Sequence, residues 1–170
     1  MNIRSERLVM TPLTQQDWPL FALLHKTPDV IAQCFDEPTS AELQQKFQSR
    51  LQPWHKDANH WLCLVMRQSD TGQAIGVTGL VMSEGRAEVG YLLLPEFHGQ
   101  GFGTESLKAL ISWAANTPHI SRFKAVVTEG NVASERVLQK AGFKLVAKEP
   151  DAHSIGGKRY ADHIYHFDAV

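Results

Sequence analysis

Cysteine is scarce. Cys34 and Cys63 are the only two among 170 residues, and their spacing matches neither a metal knuckle nor a redox pair. A disulfide-stapled scaffold is therefore excluded, and a reducing, cytoplasmic setting is the expectation. No apolar run approaches the roughly 20 residues that span a bilayer. The opening MNIRSERLVMTPL also lacks the apolar segment of a secretory signal, so no membrane partner is expected. Charge of one sign is missing too: 17 Lys and Arg stand against 18 Asp and Glu, a formal net charge of −1. That balance argues against a nucleic-acid footprint. Repeats and low-complexity stretches are absent. What remains is 43% hydrophobic and 21% charged, near the average of globular proteins, in a chain long enough to bury roughly 70% of its unfolded surface. Residues 1–170 read as one domain.

Local patterning sets the elements. Residues 3–12 read as a strand stopped by Pro12. Asp17 is placed as an N-cap with Pro19 in the first turn, and Leu20, Leu23 and Leu24 form the apolar stripe of a helix. Thr39 and Glu42 have capping-box spacing, and Leu43, Phe47 and Leu51 continue that second helix until Pro53. The period then changes to two. Strands at 60–68, 74–82 and 87–94, joined by Ser69-Asp70-Thr71-Gly72 and Glu84-Gly85-Arg86, make an antiparallel meander. Thr104 starts a helix carrying Leu107, Leu110, Ile111 and Ala114 on one face. A strand at 122–128, a helix at 132–141 ended by Gly142, and strands at 143–148 and 159–167 close the chain. The class is α+β, a mixed sheet with helices on its faces.

The most informative stretch is His98-Gly99-Gln100-Gly101-Phe102-Gly103-Thr104, three glycines at alternate positions between a strand end and a helix start. Without Cβ atoms, such a backbone can curl its N–H groups toward one point. The helix behind adds unpaired N–H groups and the positive end of its dipole, which suits a phosphate or pyrophosphate. Two common nucleotide loops fail on spacing. The dinucleotide fingerprint requires glycine at residue 104, which is Thr, and no Gly-Lys-Ser/Thr triplet of an NTPase occurs. A plain connecting turn is the alternative reading of the glycines alone.

Context narrows this. The loop, together with Asn131-x-x-Ser134 leading to Gly142-Phe143, resembles the two signature blocks of the GCN5-related N-acetyltransferase (GNAT) family. The opening RSERLVMTPLTQQDWPLF and the closing GKRYADHIYHF are similar to its RimJ/RimL-like branch, which acetylates ribosomal-protein N-termini. The resemblance implies a GNAT-type fold with a mixed, mostly antiparallel central sheet, and acetyl-CoA as co-substrate without a metal. It implies pantetheine pairing with backbone near Leu92 and Leu93, and a pyrophosphate held by residues His98, Gly99, Gln100, Gly101, Phe102, Gly103 and Thr104. Asn131 would hydrogen-bond the pantetheine arm, and a bulge in the strand bearing Leu93 would splay it from its neighbour. The sequence departs from the family at two places: His98 replaces the Arg or Gln that opens the loop, and Leu138 stands where many members have tyrosine. Ser134 is then the residue matched to protonating the leaving thiolate.

Acetyl transfer needs a neutral amine. An α-amino group, with a pKa of about 8, loses its proton roughly 3 kcal/mol more cheaply at pH 7 than a lysine at about 10.4, so a weak base acting through water would suffice. Glu88, in the otherwise apolar run AEVGYLLL, is the candidate base. A solvated strand residue paired with a nearby cation is its alternative. Ser134 and Asn131 have structural alternatives as well, in capping the helix they open. Asp36 and Glu37 are candidates for attracting an acceptor ammonium. His163 and His166 are expected on opposite faces of one strand, where they cannot chelate together. The four tryptophans read as core anchors, with Trp54 or Trp61 flooring the acceptor groove. Three readings stay open: an N-terminal acetyltransferase, an acetyltransferase of small amines, and a non-catalytic acyl-CoA sensor, each as a monomer or homodimer.

Overall fold

The computed structural model describes residues 1–169. Eight strands form one sheet in the order β1-β2-β3-β4-β5-β6-β8-β7. They are β1 (Ile3–Arg4), β2 (Leu8–Pro12), β3 (Leu62–Gln68), β4 (Ala74–Ser83), β5 (Arg86–Leu93), β6 (Arg122–Thr128), β7 (Lys144–Ile155) and β8 (Lys158–Asp168). Helices α1 (Trp18–Lys26), α2 (Pro28–Ile31), α3 (Ser40–Leu51), α4 (Phe102–Asn116) and α5 (Val132–Lys140) are distributed over its faces. Every pairing is antiparallel except β5 with β6, so the mixed, mostly antiparallel sheet is as expected.

β3 shows why the sheet sits in the middle. Its run Leu62-Cys63-Leu64-Val65-Met66 is buried throughout, as a strand covered on both faces must be. Leu62, Leu64 and Met66 join Leu107, Leu110 and Ile111 of α4 in one core. Cys63 and Val65 join Phe21 and Leu24 of α1 and Leu43 and Phe47 of α3 in the other. The period of two thus divides one strand between two cores.

Several boundaries differ from the sequence reading. Residues 3–12 are two strands rather than one, because the chain turns back at Ser5, whose N–H donates to Leu8 O, and pairs Ile3 with Met10. Asp17 does not cap α1 with its side chain. Its carboxylate instead accepts from the Thr14 N–H at 2.8 Å and from Arg67 at 2.8 Å. α1 buries Phe21, Leu24 and His25 and leaves Leu23 52% exposed, a rotation of the expected stripe. The short α2 was not anticipated. α4 begins at Phe102, two residues early, because Gly101 takes the left-handed conformation and starts the helix itself. β7 runs to Ile155 through Pro150 and a string of exposed polar residues. A strand at the sheet edge tolerates both, since one side of it needs no ladder.

His25 makes the fold sensitive to acid. It is 1% exposed, stacked near Phe21 and Phe35, and burial pushes its pKa down to about 4, with the charges of Lys46 and Arg50 adding to the effect. Its Nδ1–H donates to Phe21 O at 2.7 Å, which fixes the tautomer and only partly offsets the effect of burial. An unfolded histidine protonates near 6.5, so the stability contributed by neutral His25 is present above pH 6.5 and is lost as pH falls toward 4. Urea titrations across that window are expected to show a loss approaching about 3 kcal/mol, and a His25→Phe variant is expected to show a flatter profile.

Candidate functional site

β5 and β6 run parallel and pair at only two positions, Ala87 with Phe123 and Glu88 with Lys124. Beyond them the strands diverge. β5 stays in unbroken register with β4 from Arg86 to Leu93, so the expected bulge is absent. The splay arises because β6 follows β8, with which it pairs along its whole length. Between the two strands lies a cavity of about 280 Å³, reaching from Lys46, Arg50 and Trp61 on the α1–α3 side to Leu107 and Leu138 on the α4–α5 side. A second, larger groove of about 580 Å³ runs along α4 and α5 past Leu92, Leu93, His98, Gly99, Gly101, Phe102, Gly103 and Thr104. The two hollows share Gln33, Cys34, Tyr91, Leu92, Asn131 and Ser134.

The loop at the groove is shaped for an anion. Gly99 and Gly101 have φ of +71° and +83°, a region that side chains disfavour. No side chain caps α4, so its first-turn N–H groups stay available at the positive end of a 15-residue helix. Gly103 is needed for a different reason: a Cβ there would stand 3.3 Å from Tyr91 and from Val137. Two of the loop's polar side chains, His98 and Gln100, are committed elsewhere. His98 Nε2–H donates to Leu93 O at 2.9 Å, and the Gln100 amide donates to Glu96 O at 2.7 Å. Gln100 consequently does not line the groove.

Arg7 fastens this loop from across the sheet. Its Nε donates to Glu105 Oε1 at 2.7 Å, its backbone N–H to Glu105 Oε2 at 2.8 Å and its Nη1 to Gln100 O at 3.0 Å. Its guanidinium carbon lies 4.0 Å from the Phe102 ring centre. Burial works to raise the Glu105 pKa, but the hydrogen bonds from Ser5 and Arg7 outweigh it and hold the carboxyl below its ordinary range.

α5 carries the residues between the hollows. Asn131 caps it, with Oδ1 accepting from the Ser134 N–H at 3.3 Å and Nδ2 standing 4.0 Å from Cys34 Sγ. The Ser134 hydroxyl is therefore spared capping and lines both hollows together with Tyr91. Burial raises the Tyr91 pKa, so the phenol keeps its proton, with the Ser134 side chain a smaller opposing influence. Glu135, one residue on, accepts from His163 Nδ1 at 2.6 Å and from the Tyr165 hydroxyl at 2.7 Å, which locks α5 onto β8.

The remaining expected residues lie farther out. Glu88 stands at the last β5–β6 pair, 3.9 Å from Lys124 Nζ, and lines neither hollow. Burial raises its pKa, Lys124 opposes the shift and Asp162 adds to it. Asp36 and Glu37 are exposed and line neither hollow. The Asp36 carboxylate accepts from the Gly156 N–H at 2.8 Å, while His153 Nε2–H donates to Cys34 O at 2.7 Å. Together these bonds strap the tip of the β7–β8 hairpin over the α2–α3 loop. Trp61 lines the cavity, whereas Trp54 packs on Trp113. Among the described residues no cluster of His, Cys, Asp or Glu suits a metal ion, and no helix is long and apolar enough to cross a membrane. Tyr91, Cys34, His25, Lys46 and Arg50 escaped the sequence reading. Tyr91 alone left a signal, as the polar side chain amid the apolar end of β5.

Residues 7–144 match the family described as Acetyltransferase (GNAT) domain. The uncharacterized N-acetyltransferase YoaA of Bacillus subtilis is 37% identical over 82 residues, which are 46% of this chain and 46% of YoaA, so the match spans about half of that relative. Alpha/beta-tubulin-N-acetyltransferase 9 of Homo sapiens is 25% identical over 158 residues, covering 84% of this chain and 74% of that protein. Among solved structures, RimL, a ribosomal L7/L12 alpha-N-protein acetyltransferase in complex with coenzyme A, superposes with a TM-score of 0.85 at 22% identity over 99% of this chain and 98% of its own. Spermidine N-acetyltransferase from Vibrio cholerae, in complex with CoA and spermine, does so at 0.83 and 16% identity over 96% of each chain. At these identities the structures show a common fold.

Removing the Arg7 brace is expected to free the glycine loop before it disturbs the cores. In Arg7→Ala, backbone amides of residues 99–103 should exchange with deuterium about tenfold faster, with β3 and β4 amides unchanged. Equal protection in both proteins would show that the loop holds itself.

Proposed function

Because the chain belongs to the GNAT acetyltransferase family, we propose that it transfers an acetyl group from acetyl-CoA to the α-amino group of a polypeptide N-terminus. The observation that carries the reading is the junction of two hollows at Tyr91, Asn131 and Ser134. One hollow has the amide-rich loop a pyrophosphate needs, and the other reaches to Lys46, Arg50 and Trp61 on the α1–α3 side, from which an amine can approach the same point. A sensor would need only the first. The structural relatives divide between an N-terminal and a polyamine acceptor, but the cavity favours the former. No Asp or Glu is among its lining residues, while Lys46 and Arg50 are, and a polyamine would meet repulsion there without a compensating carboxylate.

Acetyl-CoA supplies the activated thioester. The amides of Gly99, Gly101 and the first turn of α4 hold its pyrophosphate, and the backbone of β5 near Leu92 and Leu93, beyond the last β5–β6 pair, takes the pantetheine amides, the Leu93 carbonyl being held already by His98. A β5 N–H on the same edge polarises the thioester carbonyl in the manner of an oxyanion hole. Asn131 steadies the arm. As the amine nitrogen bonds the acetyl carbon and the carbon–sulfur bond breaks, the Ser134 hydroxyl gives its proton to the sulfur, and the second proton that the nitrogen sheds on becoming an amide returns through water and the Tyr91 hydroxyl to Ser134, leaving both hydroxyls protonated. Glu88 takes the proton of the attacking ammonium through water, its pKa lifted by burial toward that of the amine it serves.

Free-thiol release from acetyl-CoA tests the reading against peptides with free N-termini, the same peptides blocked but carrying lysine, and polyamines. Release with free N-termini alone is expected; release with polyamines alone would move the acceptor to small amines. Ser134→Ala should lower kcat about a hundredfold with little change in the KM of acetyl-CoA. Glu88→Gln should lose most activity near pH 7 and little at pH 9, where an α-amine of pKa about 8 needs no base. A pH-independent loss would remove Glu88 from proton transfer.

A further inference from the structure

We propose that the acceptor carries a carboxylate close to its amine, and that Lys46 and Arg50 of α3 hold this carboxylate at the α3 end of the cavity. The inference rests on the transferase reading and specifies its substrate class. Lys46 and Arg50 are four residues apart, so they share one face of α3, and both line the cavity. Like charges at that spacing weaken a helix by several tenths of a kcal/mol, and both side chains are partly buried. A helix does not gain from this pair by itself. Neither cation forms an ion pair with a carboxylate among the described residues. Glu42, one turn before Lys46, uses its Oε1 to cap the Thr39 N–H at 2.9 Å.

Aromatic faces position the two cations without neutralising them. The Arg50 guanidinium carbon lies 5.5 Å from the Trp61 ring centre and 5.7 Å from that of Phe21, and Lys46 Nζ lies 5.0 Å from that of Phe35. Such faces attract a cation and leave its N–H donors free. Of the neighbouring titratable groups only the exposed Glu42 carboxylate acts on Lys46, and its effect is smaller than those of burial and of Arg50. His25 is neutral, and burial pushes the Cys63 thiol up to about 11. Burial also pulls the pKa of both Lys46 and Arg50 downward, the direction a bound anion would reverse. A planar fork of donors beside an ammonium, set in an aromatic wall, fits a carboxylate, which the guanidinium binds through two parallel hydrogen bonds. Two acceptors present that group beside an α-amine: a peptide with an acidic residue next to its N-terminus, and a free amino acid.

The test compares the peptides Ala-Glu, Ala-Gln and Ala-Lys on one common tail, together with free alanine and glutamate, as acceptors for the wild type and for Lys46→Gln and Arg50→Gln. The wild type is expected to prefer Ala-Glu over Ala-Gln about tenfold in kcat/KM, since hydrogen bonds between charged partners are the stronger ones. In each variant that ratio should fall toward one, and Lys46→Glu should favour Ala-Lys. Turnover of the free amino acids alone, with the same loss of turnover in the variants, would support the carboxylate and assign it to a small molecule. Acetylation of all three peptides at equal rates would overturn this inference and leave the transferase reading standing. If no acceptor turns over, calorimetry with the N-acetylated peptides decides independently. Tighter binding of the acidic one, lost in Lys46→Gln, would support the carboxylate site while the transferase reading fails. Equal binding would overturn the site. Lys46→Gln carries the test should Arg50→Gln fail to fold, as checked by its thermal melt.

Discussion

The parting of β5 from β6 is the constraint on which the rest of the structure depends. Two parallel strands that pair at Ala87–Phe123 and Glu88–Lys124 and nowhere else leave a wedge through the sheet, because each is committed to its outer neighbour. β5 keeps its ladder with β4 to Leu93, and β6 keeps its ladder with β8 from Arg122 to Thr128. Neither can turn inward without giving up those bonds. The wedge therefore exposes backbone N–H and C=O groups that would be costly to bury unpaired, and such groups are a ready docking edge for the amides of an extended ligand. It also joins the two faces, so that a donor held on one side and an acceptor arriving from the other can meet between the strands.

Everything that borders the wedge is tied down by bonds reaching far across the chain. α4 begins where Arg7 pins Glu105, Gln100 and Phe102, so the N-terminal hairpin sets the position of the glycine loop about ninety residues later in the chain. α5 is held by Glu135 to His163 and Tyr165 of β8. That places Asn131 and Ser134 at a definite height beside Tyr91. The α2–α3 loop is strapped by His153 and Gly156 from the β7–β8 hairpin. Three separate segments thus converge on one point, and each is fastened by a charged or strongly polar group of the kind that loses more when broken than it contributes when made.

Much of this was legible from the residues in order. β6 matches its expected bounds, α3 carries the expected Thr39–Glu42 capping box and Gly142 has positive φ after α5, because caps, breakers and period are local physics. The glycine loop was legible as a tight backbone turn into a helix for the same reason, and Gly99 and Gly101 do take positive φ. Other features resisted. Leu23 looked like core and is exposed, because a helix of nine residues carries apolar side chains on more than one face and only its neighbours choose between them. β7 was truncated because its outer half is polar and contains Pro150, which only an edge position excuses. Glu88 was read for its isolation in an apolar run; tertiary structure gives it a partner, Lys124, brought from another strand.

By itself the sequence determined the order of the principal elements, the mixed sheet with helices on its faces and the position of the glycine loop before α4, all of which follow from patterns a few residues wide. Only the tertiary structure decided what faces the second hollow. His25, Lys46, Arg50 and Trp61 come from two helices and the approach to β3, and nothing in their spacing links them to Ser134 or Tyr91. Nor could the sequence distinguish a bulged β5 from a straight β5 with a diverging neighbour. The reason is common to both: the cavity is the space between elements, and its charge and width depend on where several distant segments pack, whereas the loop is built from one contiguous stretch whose conformation its own glycines dictate.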